Sequence, residues 1–236
     1  MSRPVLIDNF NQIRLRMRSA AARVGRNPDA VRLVAVTKYA PLESVREALE
    51  SELISEAGES RVQDAEKKIA QLGPAARRAK WRMIGHLQTN KARAAARLFD
   101  AVDSLDSERA AQALEAALIG GEKILPVLIQ VKLSDRQTQH GVSCVELPAL
   151  IEFVRSQSRL RLDGLMMIAP HAEPVESVRP FFRELRELRD RHLPGGLLSM
   201  GMSRDFEIAI EEGADLVRIG TRIFSQLSPA SLEAPE

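Results

Sequence analysis

Val31-Arg32-Leu33-Val34-Ala35-Val36-Thr37 is a short apolar run that ends on Lys38 and is followed at once by Tyr39-Ala40-Pro41. Its branched aliphatic residues and bounding proline read as a buried strand. Seven more apolar runs follow, at residues 53–57, 81–85, 99–102, 124–133, 160–168, 197–200 and 216–219. Amphipathic helical patterns separate them, at 43–50, 62–72, 91–98, 107–118, 147–156, 175–192 and 206–212. An opening helix over about 7–24 ends near Gly25, with Pro28 just beyond. Strands separated by helices build βαβ units and a parallel sheet. Eight of them in a chain of 236 residues predict an α/β fold, a single (β/α)8 TIM-type barrel with an extra N-terminal helix. A doubly wound open sheet is the alternative, but no Gly-x-Gly-x-x-Gly follows the first strand. One domain spanning 1–236 is expected, with 1–28 packed on the barrel as a helix and 226–236 fraying as a tail.

Composition narrows the function classes. Net charge is +2 with a pI near 8.9, and the basic excess is spread along the helices. Nucleic-acid and membrane binding therefore find little support. A single cysteine, Cys144, excludes a disulfide framework and a cysteine-based metal cluster. The first ten residues are polar and broken by Pro4, and no run approaches membrane-spanning length. These features predict a soluble cytoplasmic protein. His86, His140, His171 and His192 show neither an i, i+4 pair nor zinc-ligand spacing, so no metal centre is expected.

Closure of a barrel sets its last strand beside its first, which brings Lys38 to face Val217-Arg218-Ile219-Gly220-Thr221. Barrels often bind phosphate with the loops after strands seven and eight. After strand seven come Gly201, Met202 and Ser203, where a glycine admits close backbone approach and a helix start offers free N–H groups. After strand eight come Gly220 and Thr221. A simple N-cap at Ser203 and an ordinary βα turn at Gly220 are the plainer alternatives. Alternation places Leu216, Arg218 and Gly220 on one strand face. A buried Arg218 needs either a barrel carboxylate or an acceptor on a bound ligand. Lys38, if partly buried, loses hydration of its charged form, and a neutral amine there forms Schiff bases with carbonyl compounds. A surface lysine that happens to end a strand is the bland alternative. Glu59 and Gln63 suit either the barrel mouth or a solvated helix start, and Trp81 reads as a packing residue.

Six segments in order carry a resemblance. They are Val34-Ala35-Val36-Thr37-Lys38, Gly58-Glu59-Ser60-Arg61-Val62-Gln63, Ile84-Gly85-His86-Leu87-Gln88-Thr89-Asn90-Lys91, Gly164-Leu165-Met166-Met167-Ile168, Leu198-Ser199-Met200-Gly201-Met202-Ser203 and Val217-Arg218-Ile219-Gly220-Thr221-Arg222-Ile223-Phe224. Over about 33–224 the chain resembles the pyridoxal phosphate homeostasis protein family, single-domain relatives of the fold-type III alanine racemase barrel. The resemblance implies that Lys38 forms the internal aldimine with pyridoxal 5'-phosphate (PLP). It implies too that Arg218 contacts the pyridine nitrogen, and that Ser203, Gly220 and Thr221 hold the phosphate, with Gly201 and Met202 in the same cup. Four positions depart from the family pattern: Ser60 for asparagine, Lys132 for asparagine, Gln139 for lysine and Ser225 for glycine. Lys132 is the rival for Schiff-base formation.

An arginine at the pyridine nitrogen disfavours its protonation and weakens the ring as an electron sink. A racemase also needs a second acid/base across from the lysine. In alanine racemase that tyrosine comes from outside the single barrel, and a second, all-β domain is not expected here. The only tyrosine, Tyr39, adjoins Lys38, and adjacent strand residues point apart. The reading that follows is a PLP-binding protein of cofactor homeostasis, without a dedicated second base, which buffers PLP or delivers it to PLP-dependent apoenzymes. A fold-type III racemase-like enzyme is the alternative, and a Schiff-base aldolase binding a sugar phosphate directly is a third reading. A monomer is expected.

Overall fold

The computed structural model describes residues 3–134 and 140–225. The expected tail at 226–236 and the Gln139 departure lie outside them. Eight parallel strands close into one barrel in sequence order. They are β1 (Arg32–Val36), β2 (Glu56–Glu59), β3 (Lys80–Met83), β4 (Ala101–Leu105), β5 (Leu125–Gln130), β6 (Leu160–Met166), β7 (Leu197–Ser199) and β8 (Leu216–Ile219). The helices are α1 (Arg3–Arg23), α2 (Leu42–Glu50), α3 (Val62–Leu72), α4 (Ala92–Leu98), α5 (Glu108–Leu118), α6 (Leu147–Arg155), α7 (Arg179–His192), α8 (Phe206–Glu211) and α9 (Thr221–Phe224). Closure is the pairing of β1 with β8, which runs from Arg32 opposite Leu216 to Ala35 opposite Ile219. That pairing rules out the open sheet.

The outer ring explains why the chain needs α1. Helices α8 and α9 have only 6 and 4 residues, too short to cover the sheet beside β8 and β1. The 21-residue α1 fills this gap. Its buried Leu6, Phe10, Ile13 and Met17 recur at helical spacing and form one apolar face. Phe10 meets Phe224 of α9 edge-on at 6.4 Å between ring centroids, and the Asn9 amide donates to the Ile223 carbonyl at 2.9 Å. On the rim Arg16 and Arg23 bond to Glu207 and Glu211 of α8, each at 2.7 Å.

Two strands differ from their reading in sequence. The apolar run at 53–57 is mostly the approach to β2, whose own residues are Glu56-Ala57-Gly58-Glu59, all buried. β4 likewise continues through buried Asp103 and Ser104. Such residues look wrong for strands until their partners are seen. Arg82 of β3 donates to Glu56 at 2.7 Å and to Asp103 at 2.6 and 2.9 Å, and Arg32 reaches the other Glu56 oxygen at 3.0 Å. Burial alone would lower the Arg82 pKa, but the Asp103 and Glu56 carboxylates outweigh it and raise it. Buried charges are tolerated only when paired and hydrogen-bonded in this way.

Candidate functional site

The strand ends of β1, β6, β7 and β8 surround a cavity of about 510 Å³ at the C-terminal mouth of the barrel. In barrels this is the face on which loops carry chemistry. Lys38, Met202, Ser203, Arg218, Gly220 and Thr221 all line it, so residues from both ends of the sequence meet there as closure predicts.

Lys38 is not where the sequence reading put it. β1 ends at Val36, and Lys38 lies two residues on, in a turn, exposed to solvent. Burial therefore does not strip its ammonium of water. Its Nζ sits 4.9 Å from the centroid of the Tyr39 ring, within cation–π range. The two side chains come together because the backbone is turning here, where an extended strand would splay them. Tyr39 accordingly stands beside Lys38 rather than across from it. Behind the turn, buried Glu59 accepts from Thr37 Oγ1 at 2.6 Å and from Lys68 Nζ at 2.5 Å. Glu59 thus points away from the mouth and does not line it; Gln63 is an exposed residue of α3.

Arg218 is buried, and its partners are neutral. Nη1 donates to Ser199 Oγ at 2.8 Å and Nη2 to the Met167 carbonyl at 2.7 Å. The carboxylate bridge foreseen as one alternative is absent among the described residues. Burial lowers its pKa below the ordinary arginine value, partly offset by the charges of Asp103 and Asp205.

The loops after β7 and β8 form the cup. Gly201 has φ +90, and a Cβ there would lie 2.5 Å from that of Ala209 and 3.0 Å from Phe206 Cα, so only glycine allows the chain this path. At Gly220 a Cβ would sit 2.8 Å from the Val36 carbonyl oxygen, where β8 closes against β1. Arg222 Nε donates to the Ser203 carbonyl at 2.7 Å and staples the two loops together. Ser203 is not the N-cap: α8 starts at Phe206, the N-cap position is Asp205, and the helix is too short for a dipole argument. The Asp205 carboxylate instead accepts from the Met202 N–H at 2.6 Å. Burial raises its pKa above the ordinary aspartate value, and that hydrogen bond pulls the other way. The hydroxyls of Ser203 and Thr221 bond to no protein group among the described residues. As the first residue of α9, Thr221 has no intrahelical acceptor for its N–H.

Lys132 lies in the loop after β5, four strands round the barrel from β1, and does not line the cavity. Its amide bonds to the Val142 carbonyl at 2.9 Å. Trp81 is buried in β3 and donates its indole N–H to the Ala76 carbonyl at 2.9 Å. Sequence spacing also hid two groupings. His171 lines the cavity and contacts Arg204. On the β3–β5 side, His86, Asp106 and His140 converge from loops that share no local motif.

Residues 9–227 match the family described as alanine racemase, N-terminal domain. A pyridoxal phosphate homeostasis protein of Pseudomonas aeruginosa is 40% identical over 220 residues, covering 93% of this chain and 94% of the relative. One from Aquifex aeolicus is 37% identical over 226 residues, covering 93% and 97%. Among solved structures, PipY of Synechococcus elongatus with PLP bound is 33% identical with a TM-score of 0.75, covering 89% of this chain and all of PipY. No helix among the described residues is long and apolar enough to cross a membrane.

Proposed function

The chain belongs to the pyridoxal phosphate homeostasis protein family, and on that basis we propose that it binds PLP through Lys38 and buffers the cofactor in the cytoplasm or delivers it to PLP-dependent apoenzymes. The observation that carries this reading is a convergence. Lys38, Arg218 and the unspent donors of Ser203 and Thr221 share one cavity, while the rival Lys132 lies outside it. A phosphate monoester needs several donors and tolerates no bulk against its oxygens. Ser203 and Thr221 supply donors and Gly220 lines the cavity without a side chain, so the residues fit the group. Gly201 lies outside the lining and shapes the first loop against α8.

Bound there, PLP supplies an aldehyde that condenses reversibly with an amine. Ser203 and Thr221 would donate to the phosphate beside Gly220, while Gly201 would act through the path it gives the Ser203 loop against Ala209 and Phe206. The Met202–Asp205 hydrogen bond holds the first loop in shape. Arg218, already spending two donors on Ser199 and Met167, presents a fixed positive charge and withholds a proton from an acceptor beside it. Exposure keeps Lys38 within reach of an incoming aldehyde and of a competing amine, which suits exchange better than sequestration of a reaction from water. Tyr39, on the lysine's own side, does not supply an opposing base. A single chain suffices for all of these groups, which accords with a monomer.

The test is a visible absorption spectrum of the protein with PLP, repeated for Lys38→Ala, followed by borohydride trapping and peptide mapping. A band lost in the variant, with the adduct on Lys38, supports the proposal. An adduct on Lys132, or no band at all, overturns the site. Racemisation of free amino acids by the loaded protein would favour the racemase-like alternative.

A further inference from the structure

His86, Asp106 and His140 follow three consecutive strands, β3, β4 and β5, on the mouth side of the barrel. His86 Nδ1 lies 3.0 Å from Asp106 Oδ2. The two imidazole rings lie parallel, 3.8 Å apart with an interplanar angle of 11°, and one ligand atom from each residue falls within 4.8 Å of the others. Both histidines are exposed and Asp106 is half-buried. The backbone beneath His140 is fixed: Gln130 Nε2 donates to the His140 carbonyl at 2.7 Å, and Val142 N donates to the Gln130 carbonyl at 2.8 Å. The cofactor cavity lies on the other side of the mouth and includes none of the three.

We propose that His86, Asp106 and His140 form a binding site for a borderline divalent transition-metal ion, of which Zn(II) is the representative. Two ligand atoms each about 2.1 Å from one ion are separated by about 3.0 Å at a right angle and about 3.4 Å in a tetrahedron. The His86–Asp106 separation of 3.0 Å has the right-angle value and opens by a few tenths of an ångström for a tetrahedron, the ion replacing the hydrogen bond between them. His140 completes the set by turning its exposed ring out of the stack so that its lone pair meets the others, a rotation that breaks none of the hydrogen bonds fixing its backbone. Two imidazoles and a carboxylate select Zn(II), Ni(II) or Cu(II) over Mg(II) and Ca(II), which prefer all-oxygen shells. Solvent exposure leaves the remaining coordination positions to water, so the ion would be exchangeable. It would also cross-link three loops that the His86–Asp106 contact and the imidazole stack already bring together.

Titration of tag-free protein with ZnCl2 by calorimetry tests the site, with Cys144→Ser as the parent to remove the thiol. The expected result is one Zn(II) per chain, weakened at least tenfold in His86→Ala and in His140→Ala. Each variant should keep the circular dichroism of the parent, since both rings are exposed. Mg(II) should not compete at a hundredfold excess. Binding that is absent, or that falls less than tenfold in the double variant His86→Ala/His140→Ala, overturns the proposal.

Discussion

Lys68 of α3 places its ammonium 2.5 Å from the buried Glu59 carboxylate and also hydrogen-bonds the carbonyl of Thr37, the residue that precedes Lys38. One charge pair therefore sets the end of β1 against the helix layer and fixes the turn that presents Lys38. Lys68→Met leaves Glu59 buried without its counter-charge. A loss of about 3–5 kcal/mol is expected and is read by urea denaturation. Lys68→Met/Glu59→Leu should recover part of it, because the unpaired charge is gone; a double variant as unstable as the single one would contradict this account.

The cup should discriminate by phosphate. Hydrogen bonds to a charged group contribute about 1.5–3 kcal/mol, so Ser203→Ala and Thr221→Ala are each expected to weaken PLP binding about 10-fold to 100-fold. Affinity for pyridoxal, which lacks the phosphate, should barely change. Equilibrium titrations with the two compounds decide it, and equal losses for both would place these hydroxyls elsewhere than on the phosphate.

Gly201→Ala puts a side chain at φ +90 and into contact with Ala209. Strain and overlap together should cost more than about 1 kcal/mol and distort the loop that carries Ser203. The variant should lose both thermal stability and PLP affinity.

Acid stability should depend on the arginine cluster beneath α8. Burial would raise the pKa values of Glu211 and Glu212, but hydrogen bonds and charges outweigh it, from Arg179 and Arg23 at Glu211 and from Arg183, Arg179 and Arg186 at Glu212, and hold both below 4.5. A depressed carboxylate contributes stability that is complete above its unfolded value and is lost as pH falls through the folded one. The melting temperature should therefore fall as pH is lowered below 4.5, and less steeply in Arg179→Gln, which starts from a lower plateau. Parallel curves would remove the cluster from the explanation.

Much of this was legible from residues alone, for identifiable reasons. The periodicity of 62–72 and 216–219 reproduces α3 and β8 residue for residue, because each buries one uninterrupted apolar face. β2 was misplaced because its glutamates look solvated in sequence, and only the topology supplies Arg32, Arg82, Lys68 and Thr37 as partners. Lys38 falls beside Arg218 at the mouth, and of its two readings the exposed one holds, in a turn rather than on the strand, since a strand reading runs on through Thr37 where the backbone turns. Asp205 and the His86–Asp106–His140 group could not be seen, because their meaning depends on which loops the barrel sets side by side.

The pairing of β1 with β8 also fixes when the site comes into being. Lys38 is synthesised early, yet Arg218 and the loops that would receive the phosphate leave the ribosome only after β8 has been translated. A nascent chain carries the lysine without its setting, and an aldehyde meeting it then would find no neighbouring donors for a phosphate. Under the proposed reading, competence to hold the cofactor is thus acquired with the last strand, and a chain truncated before Leu216 would lack Arg218 and the second loop.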